Sequence, residues 1–160
     1  MTVTIRPAHL EELSAVGDLT VAAYEEFLVP EDFYLAHLRD TVTRAREAEL
    51  YVADLGARLA GTVTFCPQGS PWAELAQPGE GEFRMLAVHP STRRRGVAEA
   101  LVSVCLERSR ELGYDAVVLS SLPEQQAAHR LYERFGFCRL PERDWSPAED
   151  VELLAFRLTL

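Results

Sequence analysis

Apolar residues recur at near-helical spacing through Leu10, Leu13, Val16, Leu19, Val21-Ala22 and Tyr24, and a second helical pattern runs from about Glu31 to Ala48. Ahead of them, Val3-Thr4-Ile5 reads as a short strand closed by Pro7. Leu50 to Ala53 and Leu59 to Phe65 have strand character, with Leu55-Gly56-Ala57 as the hairpin turn between them. Pro67 to Gly81, rich in Pro, Gly, Gln and Ser, is the longest loop. Glu82 to Val88 is the next strand, stopped by Pro90. Gly96 to Leu112 forms an amphipathic helix, with Val97, Leu101 and Val104-Cys105 inward and Gly113 as its stop. Ala116 to Leu119 is a continuous apolar run, as in a strand covered on both faces. Glu124 to Phe135 is a helix ended by Gly136, and Phe137 to Leu140 and Val151 to Leu160 close the pattern as strands. The strand–helix–strand segment from 82 to 120 predicts a mixed α/β sheet with one right-handed crossover, in a single domain over 1–160.

Composition narrows the chemistry. The 160 residues are 48% hydrophobic and 26% charged, the balance of an ordinary globular chain. Sixteen basic residues, all Arg, face 25 acidic ones for a net charge of −9, which disfavours nucleic acid as a partner. Cys66, Cys105 and Cys138 have no C-x-x-C spacing, so no metal site or disulfide framework is expected. Neither a membrane-length apolar run nor the layout of a signal peptide is evident, and a cytoplasmic location without membrane association is the expectation.

Against this acidic background the stretch Leu86 to Ala98, L-A-V-H-P-S-T-R-R-R-G-V-A, stands out. Arg93, Arg94 and Arg95 immediately precede a helix start, where unpaired backbone N–H groups and the helix dipole favour an anion. A basic triplet in front of a helix is also compatible with a solvated face. The absence of Lys, and of a Gly-Lys-Ser/Thr turn, excludes a P-loop nucleotide site.

Arg93-x-x-Gly96-x-Ala98 after the strand Leu86-Ala87-Val88 resembles the pyrophosphate-binding motif of the GNAT superfamily of acyl-CoA-dependent N-acetyltransferases. Ala128-x-x-Leu131-Tyr132-x-x-x-Gly136-Phe137 resembles that family's segment after the fifth strand. Residues 82 to 138 carry the motif-level similarity. The resemblance implies a mixed, mostly antiparallel sheet of six or seven strands, flanked by about four helices and splayed between the fourth and fifth strands. It implies acetyl-CoA as co-substrate, with no metal, and an N-acetyltransferase acting on a primary amine of a small molecule or peptide. A non-catalytic acyl-CoA-binding module is the rival, and a homodimer stays open.

By the same resemblance, the backbone of Arg94 to Ala98, including Gly96 and Val97, wraps the pyrophosphate, and the Arg93, Arg94 and Arg95 side chains add charge. Leu86, Ala87 and Val88 offer backbone groups to the pantetheine arm at a bulged strand, with the Val88 N–H as oxyanion donor. Tyr132 is the expected general acid for the thiolate, and Glu82 the base acting through water, with Glu80 and His89 as lesser candidates. Where many family members have Asn after the fifth strand, this chain has Gln125, an amide one methylene longer. For the acceptor, Tyr24, Phe27, Phe33, Tyr34 and Trp145, with Glu25, Glu26, Glu31, Asp32, Asp144, Glu149 and Asp150, form a composition suited to a cationic amine.

Overall fold

Tight turns and alternating apolar residues build the first half of the sheet. β1 (Val3–Pro7), β2 (Glu49–Leu55) and β3 (Arg58–Cys66) pair antiparallel in sequence, and Gly56, at φ 64°, supplies the left-handed residue of the β2–β3 turn. The computed structural model describes residues 2–28 and 33–160. β4 (Glu80–Val88) pairs antiparallel with β3 and, over three residues only, parallel with β5 (Ala116–Ser121). β8 (Val151–Thr159) runs antiparallel beside β5, and β6 (Cys138–Arg139) and β7 (Trp145–Ala148) both pair with β8. The eight described strands exceed the six or seven expected. The extra one is β7, whose W-S-P-A sequence lacks a period-two pattern.

Among the described residues, five α-helices flank the sheet: α1 (Leu13–Tyr24), α2 (Tyr34–Arg39), α3 (Thr41–Glu47), α4 (Val97–Glu111) and α5 (Gln126–Phe135). The single helix expected over 31–48 is two among the described residues, and its first two positions lie outside them. Asp40 makes the break, because its carboxylate accepts the Thr43 N–H at 3.1 Å and caps α3. Leu10, the first of the helically spaced apolar residues, is 84% exposed and belongs to a short 3-10 turn ahead of α1.

Two features of β4 shape everything that follows. Its parallel pairing with β5 ends at Glu82↔Val118, so the strands part beyond that point, as the resemblance implied. It also carries a bulge: Thr62 faces Ala87 and Thr64 faces Arg84, so three residues of β4 span two of β3, with Met85 at φ 54°. The extra residue resets the alternation of side chains. Phe83, Leu86 and Val88 pack in the main core with α4, whereas Met85 and Ala87 pack with α1 and α2. Arg84 is on that second side too, where it donates to the Trp72 carbonyl and the Tyr34 hydroxyl.

Buried Glu80 holds the junction of the two half-sheets. It accepts from Arg143 at 2.7 and 3.0 Å and from Arg157 on β8 at 2.9 Å. Burial opposes ionisation, but these guanidinium contacts and the Gln77 N–H prevail and hold its carboxyl at about 2.

Candidate active site

The parting of β4 from β5 opens a groove of about 590 Å³ between α1, α4 and the start of α5. Leu86, Ala87 and Val88 form part of its wall. The His89 N–H donates to the Ala60 carbonyl at 2.8 Å, and the register pairs Val88 with Gly61. In an antiparallel ladder the groups alternate, so the N–H and C=O of Val88 point away from β3 and into the opening. The expected oxyanion donor therefore faces the groove.

The arginine turn forms the groove's far end. Arg94 has φ 64° and Gly96 φ 78°, two left-handed residues on either side of Arg95 just before α4, the kind of backbone that forms anion-binding concavities. A Cβ on Gly96 would meet no protein atom, so within the protein glycine serves the backbone conformation rather than packing. Arg93, Arg94, Gly96, Val97 and Ala98 line the groove, whereas exposed Arg95 does not. Arg93 donates to Glu26 at 2.7 Å across the groove, a half-exposed pair of little energetic weight. Gly61 brings the turn close to the sheet: a Cβ there would lie 2.7 Å from Val97 Cγ1 and 2.9 Å from the Ala87 carbonyl oxygen. Sequence reasoning missed Gly61, although a lone glycine within a strand is a signal of close approach.

A second, narrower cavity opens on the other side of β4, lined by Tyr24, Leu28, Phe33, Tyr34, Arg84, Met85, Ser120 to Leu122, Gln125, Pro147, Val151 and Leu153. Tyr24 and Gln125 line both cavities and mark where they meet. Burial pushes the Tyr24 phenol up, neighbouring Tyr34 adds to the effect, and a hydrogen bond from the Gln125 side chain offsets part of it. The Gln125 amide oxygen accepts from Ser121 Oγ and the Leu122 N–H, both at 3.0 Å. That oxygen is committed to the β5–α5 turn, while the residue itself still lines the groove.

Tyr132 is buried against the rings of Phe83, Phe137 and Phe156, with centroids 6.0, 5.8 and 5.8 Å away. Burial, followed by the Tyr24 phenol and the Cys105 thiol, raises its hydroxyl well above the usual range. It stays protonated at neutral pH, as a proton donor must, but it is packed behind Leu131 and, like Glu82 and His89, is not among the residues lining either cavity.

Glu82 is not placed as a base. It is fully buried, lines neither cavity, and accepts the backbone N–H groups of Glu74, Leu75 and Ala76 at 3.1, 2.8 and 2.9 Å. Burial pushes its carboxyl up in spite of these donors. Its work is to anchor the loop from 67 to 79. Glu80, which opens β4 in its place, is committed to Arg143 and Arg157. His89 is committed to Ser91, whose N–H its Nδ1 accepts at 3.2 Å, and it lines neither cavity.

The residues expected around the acceptor are dispersed. Tyr24, Phe33 and Tyr34 line the second cavity, but Phe27 and Glu26 line the groove. Trp145, Asp144, Glu149 and Asp150 surround a separate surface hollow by the β7–β8 turn, and Asp144 is paired with Arg139. Glu25 is exposed and lines none of the three. Glu31 and Asp32 lie outside the described residues. The charged side chain that does line the second cavity, Arg84, was not singled out from the sequence. A lone cation inside the apolar strand F-R-M-L-A-V was the available signal.

The model of the Acetyltransferase (GNAT) family matches residues 13–137. The chain belongs to this family. Rat N-acetyltransferase 8 is 31% identical over 110 residues, which cover 68% of this chain and 47% of the relative. Mycothiol acetyltransferase of Geodermatophilus obscurus is 35% identical over 102 residues, 60% of this chain and 33% of the relative. The crystal structure of PaiA N-acetyltransferase from Thermoplasma acidophilum in complex with coenzyme A superposes with a TM-score of 0.77 over the whole of both chains, at 11% identity. This last likeness speaks for the GNAT fold alone. The chain spans between 22% and 47% of the length of the curated relatives it matches. No described helix of this GNAT chain is long and apolar enough to cross a membrane.

Proposed function

We propose that this GNAT protein transfers the acetyl group of acetyl-CoA to an amine by direct attack within a ternary complex. The observation that carries this reading is the junction of two cavities at β4: a long groove ending at the left-handed Arg94–Gly96 turn, and a narrower cavity meeting it at Tyr24 and Gln125. The pyrophosphate belongs at the N–H groups before α4, and the pantetheine arm along the opened edge of Leu86 to Val88. The amine nitrogen forms its bond to the thioester carbonyl carbon while the oxygen, gaining charge, takes the Val88 N–H. The C–S bond then breaks, the Tyr132 hydroxyl gives its proton to the departing thiolate, and the phenolate regains a proton from the solvent that received the amine's. Holding both reactants in line supplies most of the acceleration.

With Glu82 assigned to the loop, the described lining residues of the acceptor cavity include no carboxylate and no imidazole. The amine therefore reacts as its free base and its proton leaves to water. The test is release of free CoA from acetyl-, propionyl- and succinyl-CoA with a panel of small amines, amino acids, aminoglycosides and peptides. Acceptor-dependent thiol release with acetyl-CoA is expected. Cofactor binding without release from any acceptor would leave only a binding module.

A further inference from the structure

The acceptor cavity has one charged side chain among its described lining residues, and it is a cation. Arg84 reaches it because of the bulge: with Met85 inserted at φ 54°, Arg84 and Met85 stand side by side on the α1–α2 side of β4. In a regular strand they would alternate. The Arg84 side chain is 11% exposed, and its nearest counter-charge, Glu74, lies 3.6 Å away and is 41% exposed. Its Nη1 also donates to the Trp72 carbonyl at 2.9 Å, and its Nη2 to the Tyr34 hydroxyl at 3.4 Å. Buried Glu82 is the other carboxylate nearby, and its oxygens are turned to the N–H groups of 74–76.

A second cation stands behind the same wall. Arg44 is fully buried, donates to the Leu38 carbonyl at 2.6 Å and the Thr64 hydroxyl at 3.1 Å, and touches Met85 Sδ at 2.9 Å. No described carboxylate lies within ion-pair distance of it, and its Nε has no partner. Burial lowers its pKa to about 10, which leaves it charged at neutral pH. The inner end of the cavity is thus positive, and its remaining described lining is largely apolar, with Leu28, Leu122, Val151 and Leu153 among it. Such a site repels a polycation and favours an anionic group.

Resting on the acetyl-transfer reading, we propose that the acceptor is an apolar amino acid or similar amine bearing a carboxylate, and that Arg84 binds that carboxylate. A guanidinium presents parallel N–H donors that match a carboxylate. In an α-amino acid the amine is one carbon from the carboxylate. Arg84 is two residues from Leu86, so an anchored carboxylate holds its amine near the strand edge assigned to the thioester.

The test compares L-alanine, L-valine, L-leucine, L-methionine and L-phenylalanine with their carboxamides and their decarboxylated amines, read as CoA release by the full chain. The acids are expected to exceed both neutralised sets by at least tenfold in kcat/KM for the preferred side chain. Arg84→Gln should raise KM for the preferred acid roughly ten- to a hundredfold, the loss of a charge-assisted contact, while kcat changes little. Arg84→Lys should recover part of it. Calorimetric binding of the N-acetylated acid to the CoA-saturated protein should weaken in Arg84→Gln, with thermal melting confirming that the variant is folded. Equal use of acids, carboxamides and amines would overturn the proposal and leave acetyl transfer standing. So would an Arg84→Gln loss shared by every acceptor, or failure of all the acids while another amine class releases CoA. Failure of every acceptor class would overturn both.

Discussion

Tyr24 and Gln125 stand together where the cofactor groove and the acceptor cavity meet, and the Gln125 side chain offsets part of the burial that raises the Tyr24 phenol. One residue closes α1 and the other immediately precedes α5, so their interaction joins two helices with no sequence proximity. Tyr24→Phe and Gln125→Leu should each destabilise the protein, and the double variant should lose less than the sum. A coupling of about 1 kcal/mol is expected for a buried neutral hydrogen bond, measured by denaturant unfolding. Additive losses would show that the interaction contributes nothing.

Tyr132→Phe separates chemistry from binding. The ring packing against Phe83, Phe137 and Phe156 survives, and only the proton donor is lost. Turnover should fall roughly 10²-fold or more while coenzyme A affinity stays within a factor of two, as for removal of a general acid. Unchanged turnover would remove Tyr132 from the mechanism.

Gly61→Ala acts on the cofactor from beneath. The new methyl meets Val97 and the Ala87 carbonyl at distances no real contact adopts, so the β4 backbone at Ala87 and the Val97 side chain at the start of α4 must give way. Coenzyme A binding should weaken about tenfold, with a stability loss of roughly 1–3 kcal/mol from overpacking. Titration calorimetry alongside thermal melts distinguishes this from simple unfolding. Affinity equal to that of the parent protein would show that the turn does not depend on this contact.

Glu82→Gln should leave the pH profile of kcat/KM unaltered, since the residue faces the 74–76 loop and not the acceptor. Replacing a carboxylate oxygen by an amide nitrogen sets N–H against N–H, at a cost of about 1–3 kcal/mol. The profile itself should climb with pH until the acceptor's ammonium is deprotonated. A break near pH 6–7 that disappears in Glu82→Gln would restore the residue as a base.

Acid stability should depend on Glu80. Its folded pKa, about 2, is below that of an unfolded glutamate, so the unfolded chain binds more protons and stability rises with pH in this range. The contribution is complete above about pH 5 and is lost as pH falls towards 2. Glu80→Gln should flatten the stability–pH curve over that interval and cost about 2 kcal/mol at neutral pH, read from urea unfolding. A slope as steep as the parent's would transfer the effect to other carboxylates, of which Glu12, held at about 2 by Arg6, is the first to examine.

Much of this fold was legible because local rules agreed with it. Gly56, Pro90, Gly113 and Gly136 stand next to the turns and element ends they were read to mark, and the run Ala116 to Leu119 is a strand covered on both faces. The arginine turn was legible for the same reason: glycine and the helix start are local. What could not be read is set by contacts distant in sequence. Glu82 looks like a carboxylate at a strand start, and only the fold of 74–76 reveals its three N–H partners. The described residues of the expected acidic acceptor site are dispersed for the same reason: composition names residues near a function without saying which face they occupy. Arg84 reaches the cavity through a bulge that a one-residue offset between β3 and β4 creates, and no window along a single strand contains that offset.

Three ladder pairs, Glu80 to Glu82 against Ala116 to Val118, stitch the two halves of the sheet, with the Asp115 N–H to Gly79 carbonyl bond and the Glu80 ion pairs beside them. Beyond that short seam the halves stand apart, and a cofactor bound as proposed would replace the missing ladder with its own amides. Ligand and sheet then become one elastic object. Loosening the seam should make the protein more dependent on its cofactor for rigidity, so that the melting-temperature gain on coenzyme A binding reports on the mechanics of the sheet as much as on the chemistry of the groove.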